Sequence, residues 1–312
     1  MPILPRLRAA AGAAIAAALA GVVALGAVGC ATTAPRTPGG TVVTVVAAES
    51  FWGGLAAQLG GAHAQVTTII DNPDADPHDY EPVAADARDV AFARLVIVNG
   101  VGYDAWASKL VDANPSAGRV LLTVGDLVGA RNGDNPHRWY NPGDVRRVVD
   151  RITDDLSRLD PADAGYFATR HDTLLSTELK PYFDTIAEIR ANYAGTPVGA
   201  SESIFAMLAP ALGLNLLTPP ALLTAISEGS DPTARDKSTV DRQLRGRQIK
   251  VYVYNSQNAT PDVRAQVDLA RSVGIPVTAI TETPTPAGAS FADWQVAQLA
   301  ALEQALGQAT GK

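Results

Sequence analysis

The chain has four histidines, His63, His78, His137 and His171, and two of them sit in matching frames. His78 lies in DPHDYEP (76–82) and His137 in NPHRWYNP (135–142). In each frame a proline precedes the imidazole, and an aromatic residue and a second proline follow it. The leading proline fixes its own φ and has no N–H, which suits rigid, non-helical presentation of the ring that comes next. One such dipeptide would be an ordinary polar turn. Two of them on separate loops are the start of a site for a divalent transition metal, for which imidazole is a good ligand. His63, in GGAHAQV, reads instead as a solvated residue leading into a strand, and His171 as a surface position on a long helix.

Two imidazoles do not hold a metal firmly, so carboxylates are required. Glu202 follows PVGAS (197–201) and opens IFAMLAPALGL, and Glu282 closes the last strand-like run, IPVTAIT (275–281). Both therefore fall at carboxyl ends of strands, the edge at which open α/β sheets bind ligands. Position alone leaves each with a plainer role. Glu202 could serve the helix N-terminus for about 0.3–1 kcal/mol, and Glu282 could be a solvated loop acid.

These side chains need a scaffold. TVVTVVA (41–47), VTTII (66–70), LVIVNG (95–100) and VLLTV (120–124) read as strands, with the helix FWGGLAAQLGG (51–61) among them. Alternation of this kind implies a parallel sheet with helices on its faces. From Pro161 to about Tyr193 the pattern becomes helical, with Asp160 placed as N-cap and Pro161 in the first turn. Pro181 lies inside that stretch and should kink or divide it. The α/β pattern then resumes with PVGAS, KVYVYN (250–255) and IPVTAIT, and with helices over 261–274 and 291–309. The expected organisation is an N-terminal α/β lobe over 41–160, a linking helix over 161–194 and a C-terminal α/β lobe over 195–312. Two α/β lobes with a crevice between them suit the trapping of a small ligand.

Residues 1–30 carry the features of an export signal. Arg6 and Arg8 precede an uncharged run from Ala9 to Gly29, which ends at the chain's one cysteine, Cys30. Small residues directly before Cys30 fit a lipoprotein cleavage site, with Cys30 lipidated and the protein anchored outside the cytoplasmic membrane; the rival is an uncleaved membrane anchor. ATTAPRTPGG (31–40) reads as a flexible tether. A formal net charge of −7 without any basic cluster argues against nucleic acid as a partner.

DPHDYEP and NPHRWYNP resemble the two His motifs of the zinc- and manganese-binding proteins of ABC importers, the TroA-like group. SESIFAMLAPALGL (201–214) resembles that group's third-ligand segment, and ITETPTPAGASFADW (280–294) its closing acid loop and helix. The resemblance covers essentially the whole chain. It implies an α/β fold of two (β/α)4-type lobes with parallel sheets joined by one long rigid helix, with a metal cleft between the lobes in which one Zn2+ or Mn2+ is held by His78, His137, Glu202 and Glu282. It further implies a monomer that delivers its ion to a permease with a cytoplasmic ATPase, and no catalytic role. Asn135 departs from the group, standing where Asp is frequent, and Glu282 stands where Asp is usual. The alternatives are a binding protein for another ligand and a zinc-dependent hydrolase; HEXXH-type catalytic motifs are absent from the sequence.

Overall fold

The computed structural model describes residues 41–72 and 80–312. The signal, Cys30, the tether and His78 lie outside the described residues. The first half of the fold comprises β1 (Val43–Glu49), α1 (Ser50–Gly60), β2 (Ala64–Ile70), α2 (Ala84–Phe92), β3 (Leu95–Val98), α3 (Ala105–Ala113), β4 (Val120–Thr123) and α4 (Val124–Val128). There follow α5 (Pro142–Leu159), α6 (Ala164–Thr173) and α7 (Lys180–Tyr193). The second half comprises β5 (Pro197–Ala200), α8 (Ile204–Leu208), β6 (Asn215–Leu216), α9 (Pro220–Ser227), α10 (Ala234–Arg245), β7 (Val251–Asn255), α11 (Pro261–Ser272), β8 (Val277–Ile280) and α12 (Phe291–Thr310).

The strands form two four-stranded sheets, ordered β2-β1-β3-β4 and β6-β5-β7-β8, and every pairing is parallel. Parallel sheets are covered on both faces, which is why their strands are apolar at successive positions. In the first sheet Val43, Val45 and Ala47 enter one core, while Val46 and Ala48 enter a second on the opposite face. The larger core does not stop at this sheet. It continues through α5, α6 and α7 to Val198, Val251 and Val253 of the second sheet and to Trp294, Leu299 and Leu302 of α12.

Strand order reverses between β1 and β3 in the first sheet and between β5 and β7 in the second. Loops leaving adjacent strands part company at such a switch point and open a crevice at the strands' carboxyl ends. Register makes the two crevices equivalent. Ala47 pairs with Ile97, so Glu49 and Asn99 share the level two residues on; Ala200 pairs with Val253, so Glu202 and Asn255 share the same level in the second sheet.

A long bent helix connects the halves, its bend falling just before Pro181 as expected, while its start differs from the expectation. Pro161 opens a 3-10 turn rather than the helix proper, and Asp160 makes no side-chain cap. Leu174–Glu178 forms a π turn between α6 and α7, closed by a bond from Leu179 N–H to Leu174 O at 2.7 Å. Pro181 then occupies the first turn of α7. A proline inside a continuous α-helix would meet the carbonyl four residues earlier, and a place in the first turn is where a helix tolerates it.

His63 also corrects its reading. It is buried at 4% exposure, with Nδ1 2.6 Å from Asp163 Oδ2 and its ring stacked on Tyr166 at 3.9 Å. It ties the α1–β2 corner to the base of the bent helix.

Candidate metal centre

His137 stands on a loop that is fixed at both ends. Beyond it, Asn141 Oδ1 accepts from the backbone N–H groups of Gly143 (2.9 Å) and Asp144 (3.3 Å), with Pro142 at the first helical position, so the closing NP of NPHRWYNP is the start of α5. Before it, Asn99 Nδ2 donates to Pro136 O at 2.9 Å, anchoring the loop to the switch point of the first sheet. Beneath the imidazole, Trp139 and Tyr103 pack at centroid distances of 5.2 and 6.1 Å, and Phe51 stacks on Trp139 at 3.9 Å. His137 is thereby 1% exposed.

Its ring orientation is set by Asn135. Asn135 Nδ2 donates to Ser203 O at 2.6 Å, which leaves Oδ1 to accept from His137 N–H at 3.1 Å and to lie 2.8 Å from His137 Nδ1. An amide oxygen can only accept, so Nδ1 carries the proton and Nε2 faces the crevice. There it meets Glu282 Oε1 at 3.2 Å. Two acceptor lone pairs do not approach so closely without a cation between them, either a proton or a metal ion. Asn135 thus performs at this position the ring-orienting task that a metal-ligating histidine requires of its surroundings.

Glu282, two residues beyond β8, also receives the Tyr103 hydroxyl on Oε1 at 3.3 Å. Burial, and then the charge of Glu282, hold the Tyr103 hydroxyl well above its ordinary range, so it remains a donor. Tyr103 is delivered by a sharply bent loop in which Gly100, Val101 and Gly102 all have positive φ; for a β-branched valine at +59° this is a strained backbone.

Glu202 sits at the switch point of the second sheet and is 1% exposed. Its expected alternative as a helix-end acid is not realised, since α8 has no side-chain cap. Asn255 Nδ2 donates to Oε1 and Asn258 Nδ2 to Oε2, both at 2.8 Å. Burial, followed by the charge of Glu282, pushes its carboxyl up to about 7, against the opposing pull of His137 and the two amides. His137, Glu202 and Glu282 thus share one electrostatic environment. His137 and Glu282 are in direct contact, and among the described residues no three His, Cys, Asp or Glu side chains close into a metal-holding group. His171, on α6, is remote from the crevice and pairs with Asp150 and Asp172.

A family model described as ZnuA, zinc-uptake complex component A, periplasmic, matches residues 45–305. The chain belongs to this family. Similar proteins include the manganese-binding lipoprotein MntA of Halalkalibacterium halodurans, 30% identical over 49% of this chain and 52% of that protein. The chain thus spans about half the length of MntA. The manganese ABC transporter substrate-binding lipoprotein PsaA of Streptococcus pneumoniae is 24% identical over 80% of this chain and 83% of that protein. The zinc-binding protein AdcA of Streptococcus pyogenes is 22% identical over 69% of this chain and 47% of that protein. Among solved structures, a manganese-bound periplasmic metal binding protein from Candidatus Liberibacter asiaticus shares the fold, with TM-score 0.70 and 19% identity over 85% of this chain and 99% of that one.

In this ZnuA-family chain several side chains around His137, Glu202 and Glu282 escaped sequence reading. Asn258 and Gln257 lie in NSQN (255–258), directly after β7, and Tyr103 in NGVGYD (99–104), after β3. Each is a polar cluster at a strand's carboxyl end, the same positional signal that singled out Glu202 and Glu282.

Proposed function

We propose that this ZnuA-family chain captures one divalent ion, Zn2+ or Mn2+, outside the cytoplasmic membrane and passes it to the permease of an ABC importer with a cytoplasmic ATPase. The ligands in this reading are His78, His137, Glu202 and Glu282, and a lipidated Cys30 holds the monomeric protein to the membrane. The observation that carries it is the opposition of His137 Nε2 and Glu282 Oε1 at 3.2 Å, with Nδ1 already committed to Asn135. That spacing matches the edge of about 3.3 Å expected between two ligands of a tetrahedral ion with bonds of about 2.0 Å. Two carboxylates balance a divalent charge and neutral imidazoles complete the shell, so the ion can be buried without an uncompensated charge. The names of the similar proteins, some manganese-binding and some zinc-binding, support these two ions as the cargo.

Metal content and thermal unfolding of the purified chain test the reading. About one equivalent of Zn2+ or Mn2+ should bind and raise the unfolding temperature by linkage, and His137→Ala or Glu282→Ala should abolish both effects. Absence of uptake by the intact chain, or full uptake by both variants, overturns it. Affinity in vitro will favour zinc by the ordinary order of divalent ions, so the physiological cargo is ranked by which metal restores growth to cells lacking the protein.

A further inference from the structure

Three consecutive residues, Thr281, Glu282 and Thr283, are held by side chains rather than by a sheet. Gln298 Oε1 accepts from Thr281 N–H at 2.6 Å, and Trp294 Nε1 donates to Thr281 Oγ1 at 2.7 Å. Gln257 Oε1 accepts from the N–H groups of Glu282 (2.6 Å) and Thr283 (3.1 Å). All three holding side chains come from the second half of the chain. Tyr140 reaches the same segment from the first half: its hydroxyl donates to Thr281 O at 2.6 Å, with Gln298 Oε1 3.1 Å away.

Tyr140 belongs to the turn that carries His137, and its own N–H donates to His137 O at 3.1 Å. The ring is fully buried, edge-on to Trp294 at 6.0 Å. A short chain of bonds therefore runs from His137 through Tyr140 to Thr281 and so to Glu282. It crosses between the halves in parallel with the His137–Glu282 contact itself. We propose that the Tyr140 hydroxyl is the gauge that sets the separation of His137 and Glu282, making Tyr140 a positioning residue for the metal shell. The inference rests on the metal-capture reading above. It adds that, beside the Asn135–Ser203 and Tyr103–Glu282 bonds that also cross between the halves, the Tyr140 hydrogen bond sets the bite between a ligand from each half.

Tyr140→Phe removes the hydroxyl and keeps the ring. Tyr182→Phe is its control: Tyr182 is equally buried, and its hydroxyl has no hydrogen-bond partner among the described residues. Co2+ is the probe, because the intensity of its visible bands reports coordination number and distortion. Wild type and Tyr182→Phe should give the same cobalt spectrum. Tyr140→Phe should give altered band intensities, and binding should weaken about 10–100-fold, the range for losing a group that orients a metal ligand. Far-ultraviolet circular dichroism of the metal-free proteins checks that all three are folded. A Tyr140→Phe protein with the wild-type cobalt spectrum and affinity overturns the gauge while leaving metal capture intact. A wild-type chain that takes up no cobalt overturns both.

Discussion

The carboxyl of Glu49 ends β1 with no access to solvent, and among the described residues neither oxygen has a hydrogen-bond donor of good geometry. Its neighbour is another buried carboxyl, Asp104, whose two oxygens accept from the N–H groups of Asn99 (2.6 Å) and Gly100 (2.7 Å). Two acids packed together in a low-dielectric interior share one proton, and these amides leave that proton on Glu49. Burial first, and then the charge of Asp104, hold Glu49 well above its ordinary 4.5. The same level of the second sheet carries Glu202, whose carboxyl takes an amide from Asn255; in the first sheet the equivalent Asn99 is turned away to Trp52 and Pro136. Because Glu49 keeps its proton in the folded chain and loses it near 4.5 when unfolded, it makes stability fall as pH rises above that value. Glu49→Gln removes the slope. The variant's unfolding temperature should gain on wild type progressively from pH 5 to pH 8, and a difference that stays constant across that range would show that Glu49 is ionised in the fold.

At the scale of elements, histidines do the joining. His171 on α6 places Nε2 2.8 Å from Asp150 Oδ1 on α5 and Nδ1 3.1 Å from Asp172 Oδ1. Partial burial would lower its pKa, but the two carboxylates outweigh that and raise it above 6.5. Its contribution is complete below pH 6.5 and is lost as pH rises through the raised value. His171→Gln should therefore lower the unfolding temperature at pH 6 and leave it unchanged at pH 9, with a loss under about 1 kcal/mol because the pair is solvent-screened. Equal losses at both values would refute the charged pair. His63→Ala should cost more, about 2–4 kcal/mol in urea unfolding, since it deletes a buried bond to Asp163 together with the stack on Tyr166; a loss below about 1 kcal/mol would mean that neither contact supports the fold. Sequence periodicity found every strand but β6, which has two residues and too little length to show a period. It singled out Glu282 because the end of β8 is visible as the stop of a β-branched run, and His137 because its proline frame repeats that of His78. It misread His63 because the partner, Asp163, lies 100 residues away, and no local pattern records a contact of that span. Tyr140 escaped for the same reason, its partner Thr281 lying in a distant segment.

Two sheets and a connecting helix suggest independently folding halves, yet the core argues for one cooperative unit. The same hydrophobic cluster contains Val45 and Ile97 of the first sheet, Leu179, Tyr182 and Ile189 of the bent helix, and Val251 and Val253 of the second sheet. Residues 38–312 accordingly form one compact unit. Unfolding either sheet alone would strip apolar cover from the helix between them, at a cost set by the exposed area of roughly 25 cal/mol per Å2. The metal-free chain should thus unfold in one calorimetric transition with equal van't Hoff and calorimetric enthalpies. Native-state hydrogen exchange gives the sharper test. The most protected amides of β3 and β7 should open with the same free energy, and Ile189→Ala, a fully buried position on the shared helix, should lower both by the same amount, about 2–5 kcal/mol. Exchange protection in β7 that falls while β3 keeps its own would show two separable halves.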